Sequence, residues 1–591
     1  MIRIMALAAL ALLSAPAAAQ SGGQPSKQDG QTVTVTGQRD STGRPIPMSD
    51  WQVAETEHVL VYAKDDEKRL TRIAANLEKL HFLLSVLLNR VDAPDETLKL
   101  KVVLIGDSAD FKAMRLRPLR SQQGPYPDAF PSTLYYDPRD DGAVLATSHD
   151  DQKIIVEQGV SIASLSSLQP ADEEGPMEQS AAGPGGAVSS GNANEVAYGM
   201  SAEGRLYAGF ARHYLLTYFP AAYPRWYVEG FGEIFSTLSA PGEGRIEYGR
   251  APDGLRQVIE AFGRYEVQDV LAERYLADKR VKPIWTPYHA WRLTHLLFFS
   301  EEWSEPLRRY LAAYAAGKRE EAAAGLDPTG ALQRTLGDYR GRKVPFEVMT
   351  YPADRIEAPH LRRLTRFEAG IVRGRLELGA RVTLPPEAEA GAPPKAAARA
   401  LQARADAAAE RARYLQRLRD AAARQPSLAE GHVLLAEAEC RSGNSDACLR
   451  SADAALALSP ADPEALAWKG AALAAAAAAA PAEKRKGALK EARAALVRAN
   501  RANTAASVPL ISYYRSYADA GEAVPDRAVE GLLKASESVP ASTATALLLG
   551  AAYIRRGDTA AARRTLRPIA EGAYGSPERA EARRLLAGIG G

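Results

Sequence analysis

The chain has 591 residues, of which 46% are hydrophobic and 25% charged, a balance that marks a globular protein and excludes a wholly disordered one. Its 74 basic and 72 acidic residues leave a net charge of +2, so there is no bulk attraction to nucleic acid, and no basic patch interleaved with aromatics stands out. At about 150 residues per domain, this length predicts several domains.

Residues 1–19 read as a secretory signal peptide: Arg3, an apolar run from Ile4 to Leu13, then Ala17, Ala18 and Ala19 as a small-residue cleavage site. The apolar run is too short to span a membrane, and no cysteine follows it to carry a lipid anchor. The expectation is an exported protein of the periplasm with no integral membrane segment after cleavage, release to the medium being the alternative. Residues 20–50, rich in Gly, Gln, Ser and Thr, read as a disordered lead.

Order is expected from Trp51. Glu57 to Ala63 reads as a strand and Asp65 to about Arg90 as an amphipathic helix, with Leu70, Ile73, Leu77, Leu80, Leu84 and Leu87 on one side. Leu98 to Ile105 alternates and then turns wholly apolar, as a strand entering a core does. Leu134 to Thr147 reads as a hairpin around Asp137 to Gly142. Residues 169–194 form a Gly/Ser/Ala/Glu-rich insertion, expected to be a mobile loop.

Arg205 to Ser239 organises the rest. It reads as a helix, a turn through Pro220 and Pro224, and a second helix from near Trp226 with Glu229 and Glu233 one turn apart on one face. The segment Trp226-Tyr227-Val228-Glu229-Gly230-Phe231-Gly232-Glu233, after a Pro/Tyr-rich linker, resembles the second motif of gluzincin metallopeptidases, in particular the secreted bacterial peptidase-MA-like family. Asp107 to Phe111, after the strand–helix–strand opening, is similar to the amino-terminal part of the same family.

That resemblance implies an α+β zincin-like domain over residues 51–351 and an H-E-x-x-H motif on the first helix, where two imidazoles at i and i+4 clasp zinc and the Glu activates the bound water. Here that position reads Ala208-Gly209-Phe210-Ala211-Arg212. Ala208 has no donor, Gly209 no carboxylate, and Arg212 is a permanent cation. His213 follows immediately, but Gly209 and Thr217 stand at i−4 and i+4, so it has no paired ligand on its face. Of the metal and base functions only the Glu229 ligand remains, beside Glu233. The expectation is a vestigial site without catalytic residues, zinc lost, and Arg212 paired with Glu229 in the metal's place. An active zinc peptidase with unorthodox ligands and a purely structural envelope component are the alternatives.

Downstream, Asp253 to Phe262, Val267 to Ala277, Tyr288 to Phe299, Trp303 to Ala316 and Thr329 to Tyr339 read as helices. His289 and His295 read as packing residues, and His58, His81, His149, His360 and His432 as single histidines that support no metal cluster. Residues 352–394 read as a connecting segment, with a hairpin in Ile371 to Leu384 and a Pro/Ala linker.

Residues 395–591 read as an all-α helical domain. Glu430 to Pro460, Pro463 to about Ala495 with an Ala/Lys insertion between its helices, Tyr513 to Pro540 and Thr545 to Ala570 each resemble a tetratricopeptide (TPR) unit through small residues such as Gly443, Ala455, Gly470, Ala528, Gly550 and Ala562. The resemblance implies a solenoid whose partner is a protein or peptide. In that pattern Cys440 and Cys448 flank one interhelical turn, and in an oxidising compartment they are expected to form a disulfide, two buried thiols in Ala-like slots being the alternative.

Overall fold

The computed structural model describes residues 47–91, 98–116, 134–157 and 195–590, the last with interruptions within 254–264, 277–286, 340–343 and 389–390. The expected signal peptide, nearly all of the expected lead, the 169–194 insertion and most of the Asp253 to Phe262 helix lie outside the described residues.

The amino-terminal part is built on a mixed sheet. It opens with β1 (Met48–Glu55), β2 (Val59–Ala63), α1 (Glu67–Leu87), β3 (Leu100–Ile105), α2 (Ser108–Ala113), β4 (Leu134–Arg139) and β5 (Gly142–Ser148). β2, β3 and β5 run parallel; β1 flanks β2 and β4 flanks β5 antiparallel. The two-residue period of the strands sorts their side chains onto two faces. Leu100, Val102, Leu104 and Leu145 face the core shared with Leu70, Ile73, Leu77 and Leu80 of α1. Val103, Ile105, Val144 and Ala146 face the other way into a second core. Asp66 caps α1 by accepting from the Arg69 amide. The β4–β5 turn is only Asp140–Asp141, closed by Gly142 at a φ of +107°, which a side chain would strain. β6 (Gln152–Glu157) and β7 (Glu195–Met200) form a separate antiparallel pair that sequence reading does not anticipate.

Next come α3 (Ala202–Tyr218) and α4 (Arg225–Ile234), then β8 (Ser239–Gly242), β9 (Arg245–Tyr248), α5 (Val267–Leu271), α6 (Pro287–Phe299), α7 (Glu301–Ala315), α8 (Arg319–Leu326), α9 (Ala331–Tyr339), β10 (Glu347–Thr350), β11 (His360–Thr365) and α10 (Arg366–Val382). α4 is buried along its whole length. β8, β9 and β10 make a small sheet, and β11 returns to the edge of the main sheet beside β1.

The hairpin expected in Ile371 to Leu384 is not formed; that stretch lies mainly in α10. Thr365 and Glu368 make a reciprocal capping box, and Glu377 pairs at one-turn spacing with Arg373 and Arg381. Leu376 and Ala380 then fill the second core beneath the sheet. The cap and the one-turn charge spacing favour the helix.

The carboxy-terminal region is wholly helical: α11 (Pro394–Arg424), α12 (Ala429–Arg441), α13 (Ser445–Leu458), α14 (Pro463–Ala479), α15 (Ala482–Ala502), α16 (Ser507–Ala518), α17 (Asp526–Ser538), α18 (Thr543–Arg555), α19 (Thr559–Glu571) and α20 (Arg579–Gly588). Successive pairs from α12 to α19 pack as helical hairpins, consistent with a TPR-like solenoid. Small residues permit the close approach: a Cβ on Gly470 would sit 2.5 Å from Leu496, and one on Gly550 2.4 Å from Leu566. The Ala/Lys stretch is no loop; it extends α14 and α15 to 17 and 21 residues. High helix propensity accounts for this. Among the described residues no helix is long and apolar enough to cross a membrane.

The helical region folds back onto the sheet. Arg441 of α12 donates to Asp140 at 2.6 Å and to Asp141 at 2.9 Å on the β4–β5 turn. The Ser507 hydroxyl donates to the Asp140 carbonyl, and Arg375 of α10 pairs with Glu464 of α14.

Candidate functional site

Ser201 caps α3 by accepting from the Gly204 amide, and Pro224 opens α4 with its fixed φ. The two helices then meet at Gly232. A Cβ there would lie 2.7 Å from the Ala208 carbonyl oxygen and 2.8 Å from Cγ of Arg212, so the slot accepts glycine and resists alanine.

This contact brings Arg212 against both carboxylates of α4. Its Nη1 donates to Oε2 of Glu229 at 3.1 Å and reaches Oε1 of Glu233 at 3.5 Å. All three side chains are 13% exposed or less. Nη2 of Arg225, one turn before Glu229, is 3.5 Å from its Oε1. Burial pushes the Glu233 carboxyl up to about 7, against the pull of Arg212 and with the repulsion of Glu229.

The fourth wall comes from the far end of the chain. Tyr574, in the connection between α19 and α20, donates its hydroxyl to Oε1 of Glu229 at 2.9 Å, and the Arg225 guanidinium lies 5.1 Å from its ring. Burial and then the Glu229 charge raise the Tyr574 phenol well above its ordinary value, so it stays a donor. Beside it opens a cavity of about 300 Å³, lined by Leu216 of α3, by Pro220 and Ala221 of the α3–α4 connection and by Ser542, Arg564 and Thr565 from the helical region.

The remaining positions are placed as follows. Ala208 is fully buried, and the Cβ direction of Gly209 meets Leu134 and Leu145 at 3.2 Å. His213 turns away from Glu229: its Nδ1 is 2.8 Å from the Tyr136 hydroxyl of β4 and 3.2 Å from that of Thr217. A zinc ion of the kind the motif resemblance implies does not fit these residues. A guanidinium takes the place of the second imidazole, the first has no donor, and leucines crowd the space a base would need. The arrangement holds two carboxylates together around one guanidinium.

Cys440 and Cys448 are joined by a disulfide, their Cα atoms 5.1 Å apart across the α12–α13 turn. His289 and His295 are buried; His295 bonds Tyr339 at 2.7 Å and the Gly249 carbonyl at 2.8 Å.

The expectation of scattered single histidines is overturned at one place. His58, Glu78 and His81 converge, their ligand atoms all within 4.8 Å of one another. Glu78 and His81 lie three apart on α1, a spacing visible in sequence, whereas His58 joins them only through the β2–α1 packing. Tyr574 left no local signal either, because its role depends on the return of the helical region.

No family model and no curated protein matches the chain. Among solved structures, a thermophilic TPR protein of Thermus thermophilus is similar at 22% identity, over 32% of this chain and 91% of that one, with a TM-score of 0.26. At that level the likeness carries no argument, and the repeat reading stands on the helix pairs and their small contact residues.

Proposed function

We propose that this protein is an exported, non-catalytic relative of gluzincin peptidases that binds protein or peptide partners as a scaffold or adaptor through its helical repeats. The observation that carries the reading is the Arg212–Glu229 contact at 3.1 Å, with Tyr574 on the other Glu229 oxygen. A cation and a phenol satisfy the carboxylate where a peptidase of this kind would place zinc and substrate. No zinc is held at this helix pair, and no peptide is cleaved there.

Partner binding has support from the array itself, since stacked helical hairpins present extended surfaces of the kind used to hold peptides. The cavity beside Tyr574 is near the lower end of the size that takes a small ligand or a few side chains. Its mixed lining of proline, hydroxyl and arginine suits a peptide. The near balance of charge and the absence of a basic stripe argue against nucleic acid.

The test is capture of partners from a periplasmic extract on the full-length chain, alongside peptide turnover by the same preparation. The expected result is a specific partner, lost in an Arg564→Glu variant that alters the cavity wall, and no turnover above background. Metal-dependent turnover, or capture unaffected by changes in the repeats, would overturn the proposal.

A further inference from the structure

The His58, Glu78 and His81 cluster lies outside the Arg212–Glu229 site. Glu78 and His81 stand three residues apart on α1 and therefore on one face of the helix. His58 sits just before β2, whose packing against α1 brings its ring over that face. Its amide donates to Oε2 of Glu78 at 3.3 Å, and its Nδ1 meets Oε1 of the same carboxylate. The His58 and His81 rings stack with centroids 3.6 Å apart and 13° between planes. Edge contacts to Tyr214 at 5.2 Å and Tyr218 at 6.1 Å, both on α3, pack the other side of His81.

We propose that these three side chains form a binding site for one divalent transition-metal ion, zinc or ferrous iron by donor type. Two imidazoles and one carboxylate are a donor set that both ions use. Glu78 supplies the oxygen donor, its carboxylate held against His58 by the amide and Nδ1 contacts and within reach of His81. The lone pairs of stacked rings lie in near-parallel, separate planes that share no point close to both, so ligation requires one ring to turn. His58 is the one able to do so, with 18% of its side chain exposed, while His81 stays packed. The ion would then tie the start of β2 to the middle of α1.

The experiment uses the full-length chain, stripped with a chelator and titrated with Zn²⁺ and, as a spectroscopic probe, Co²⁺. One equivalent is expected to bind, with visible Co²⁺ absorption and a raised melting temperature. His58→Ala and Glu78→Gln, which leave the leucines of α1 in place, should each weaken binding by about tenfold or more while circular dichroism is unchanged. If a variant fails to fold, histidine NMR of the parent decides: Zn²⁺ should shift the ring signals of two of the 8 histidines, His58 and His81. Absence of saturable binding overturns the proposal, and so does binding that survives both substitutions or shifts other histidines. The outcome is independent of partner capture and peptide turnover, which do not involve this site.

Discussion

The hydroxyl of Tyr574 and the carboxylate of Glu229 are 345 positions apart in sequence and share a hydrogen bond of 2.9 Å. Few contacts tie the end of the helical region so directly to the α3–α4 pair. Tyr574→Phe keeps the ring under Arg225 and removes only the donor. A hydrogen bond to a charged acceptor contributes about 1.5–3 kcal/mol. Hydrogen exchange around residues 572–578 should therefore speed up in the variant, while exchange in α1 and β3 stays as it was. Unchanged protection would mean that the contact does not hold the two regions together.

Arg212 supports the same carboxylate from the other side. Removing one partner of a buried pair leaves the other charge uncompensated, at a cost of about 3–5 kcal/mol. Arg212→Ala is expected to lose that much in denaturant unfolding, and Arg212→Lys to recover part of it as a point charge without the planar fork. An alanine variant as stable as the parent would show that solvent or Arg225 already satisfies Glu229.

Two glycines of the helix pair differ in what surrounds them. At Gly232 an added Cβ meets a backbone carbonyl at 2.7 Å, and backbone cannot swing aside. At Gly209 it meets leucine methyls at 3.2 Å, which can give by a few tenths of an ångström. Gly232→Ala should destabilise by about 1–3 kcal/mol, the range for overpacking, and Gly209→Ala by clearly less. Gly209→Glu is a different matter, because the side chain would need the space of Leu134 and Leu145. Restoring Ala208→His, Gly209→Glu and Arg212→His together should therefore yield a poorly folded chain unless those leucines are trimmed first. A well-folded triple variant would refute this account of the crowding.

Glu233 predicts a pH dependence. Its carboxyl is pushed from an ordinary 4.5 up to about 7 by burial, which outweighs Arg212. Between those values the folded state holds a proton that the unfolded state has released. Stability attributable to this group therefore falls as pH rises from 4.5 to about 7 and changes little beyond, by on the order of 3 kcal/mol in all. Glu233→Gln keeps an acceptor for Arg212 and removes the titration. The difference in unfolding free energy between variant and parent should grow in the variant's favour across that window. A difference independent of pH would place the Glu233 titration elsewhere.

Legibility in the sequence followed the range of the interactions. The β2–α1–β3 opening, the β4–β5 hairpin and the α3–α4 pair were readable because apolar periodicity and proline signals are local. The glycine and alanine slots of the helical hairpins were readable for the same reason. Arg212 beside Glu229 could be anticipated because both lie on one helix–turn–helix. Three features lay beyond local pattern: β11 returning to β1, Tyr574 over Glu229, and His58 over α1. Each depends on segments brought together by the folded chain, whereas α10 in place of the expected hairpin carries a local signal in the Thr365–Glu368 capping box.

The last prediction concerns Arg441, which joins the helical region to the sheet. Besides Asp140 and Asp141 it pairs with Glu437 at 2.9 Å, one turn earlier on α12. Burial opposes the charge, but the acidic groups around Arg441 outweigh it and hold the guanidinium strongly protonated, while Arg139, Lys101 and Arg441 keep Asp141 well below the usual carboxylate range despite its burial. Contacts between neighbouring repeats account for most of the helical packing, so a fragment starting at Pro394 should still be helical by circular dichroism. It should melt below the same region in the intact chain, because Arg441, Ser507 and Tyr574 lose their partners. Arg441→Met fills the space without the charge and removes the partner of Asp140 and Glu437, while Asp141 keeps Arg139 and Lys101, so the cost should fall at or below the roughly 3–5 kcal/mol of a broken buried pair. In calorimetry that variant should separate one unfolding transition into two, the sheet-containing part and the repeats melting apart. A single transition at the parent's temperature would show that the two regions are held together by something other than this arginine.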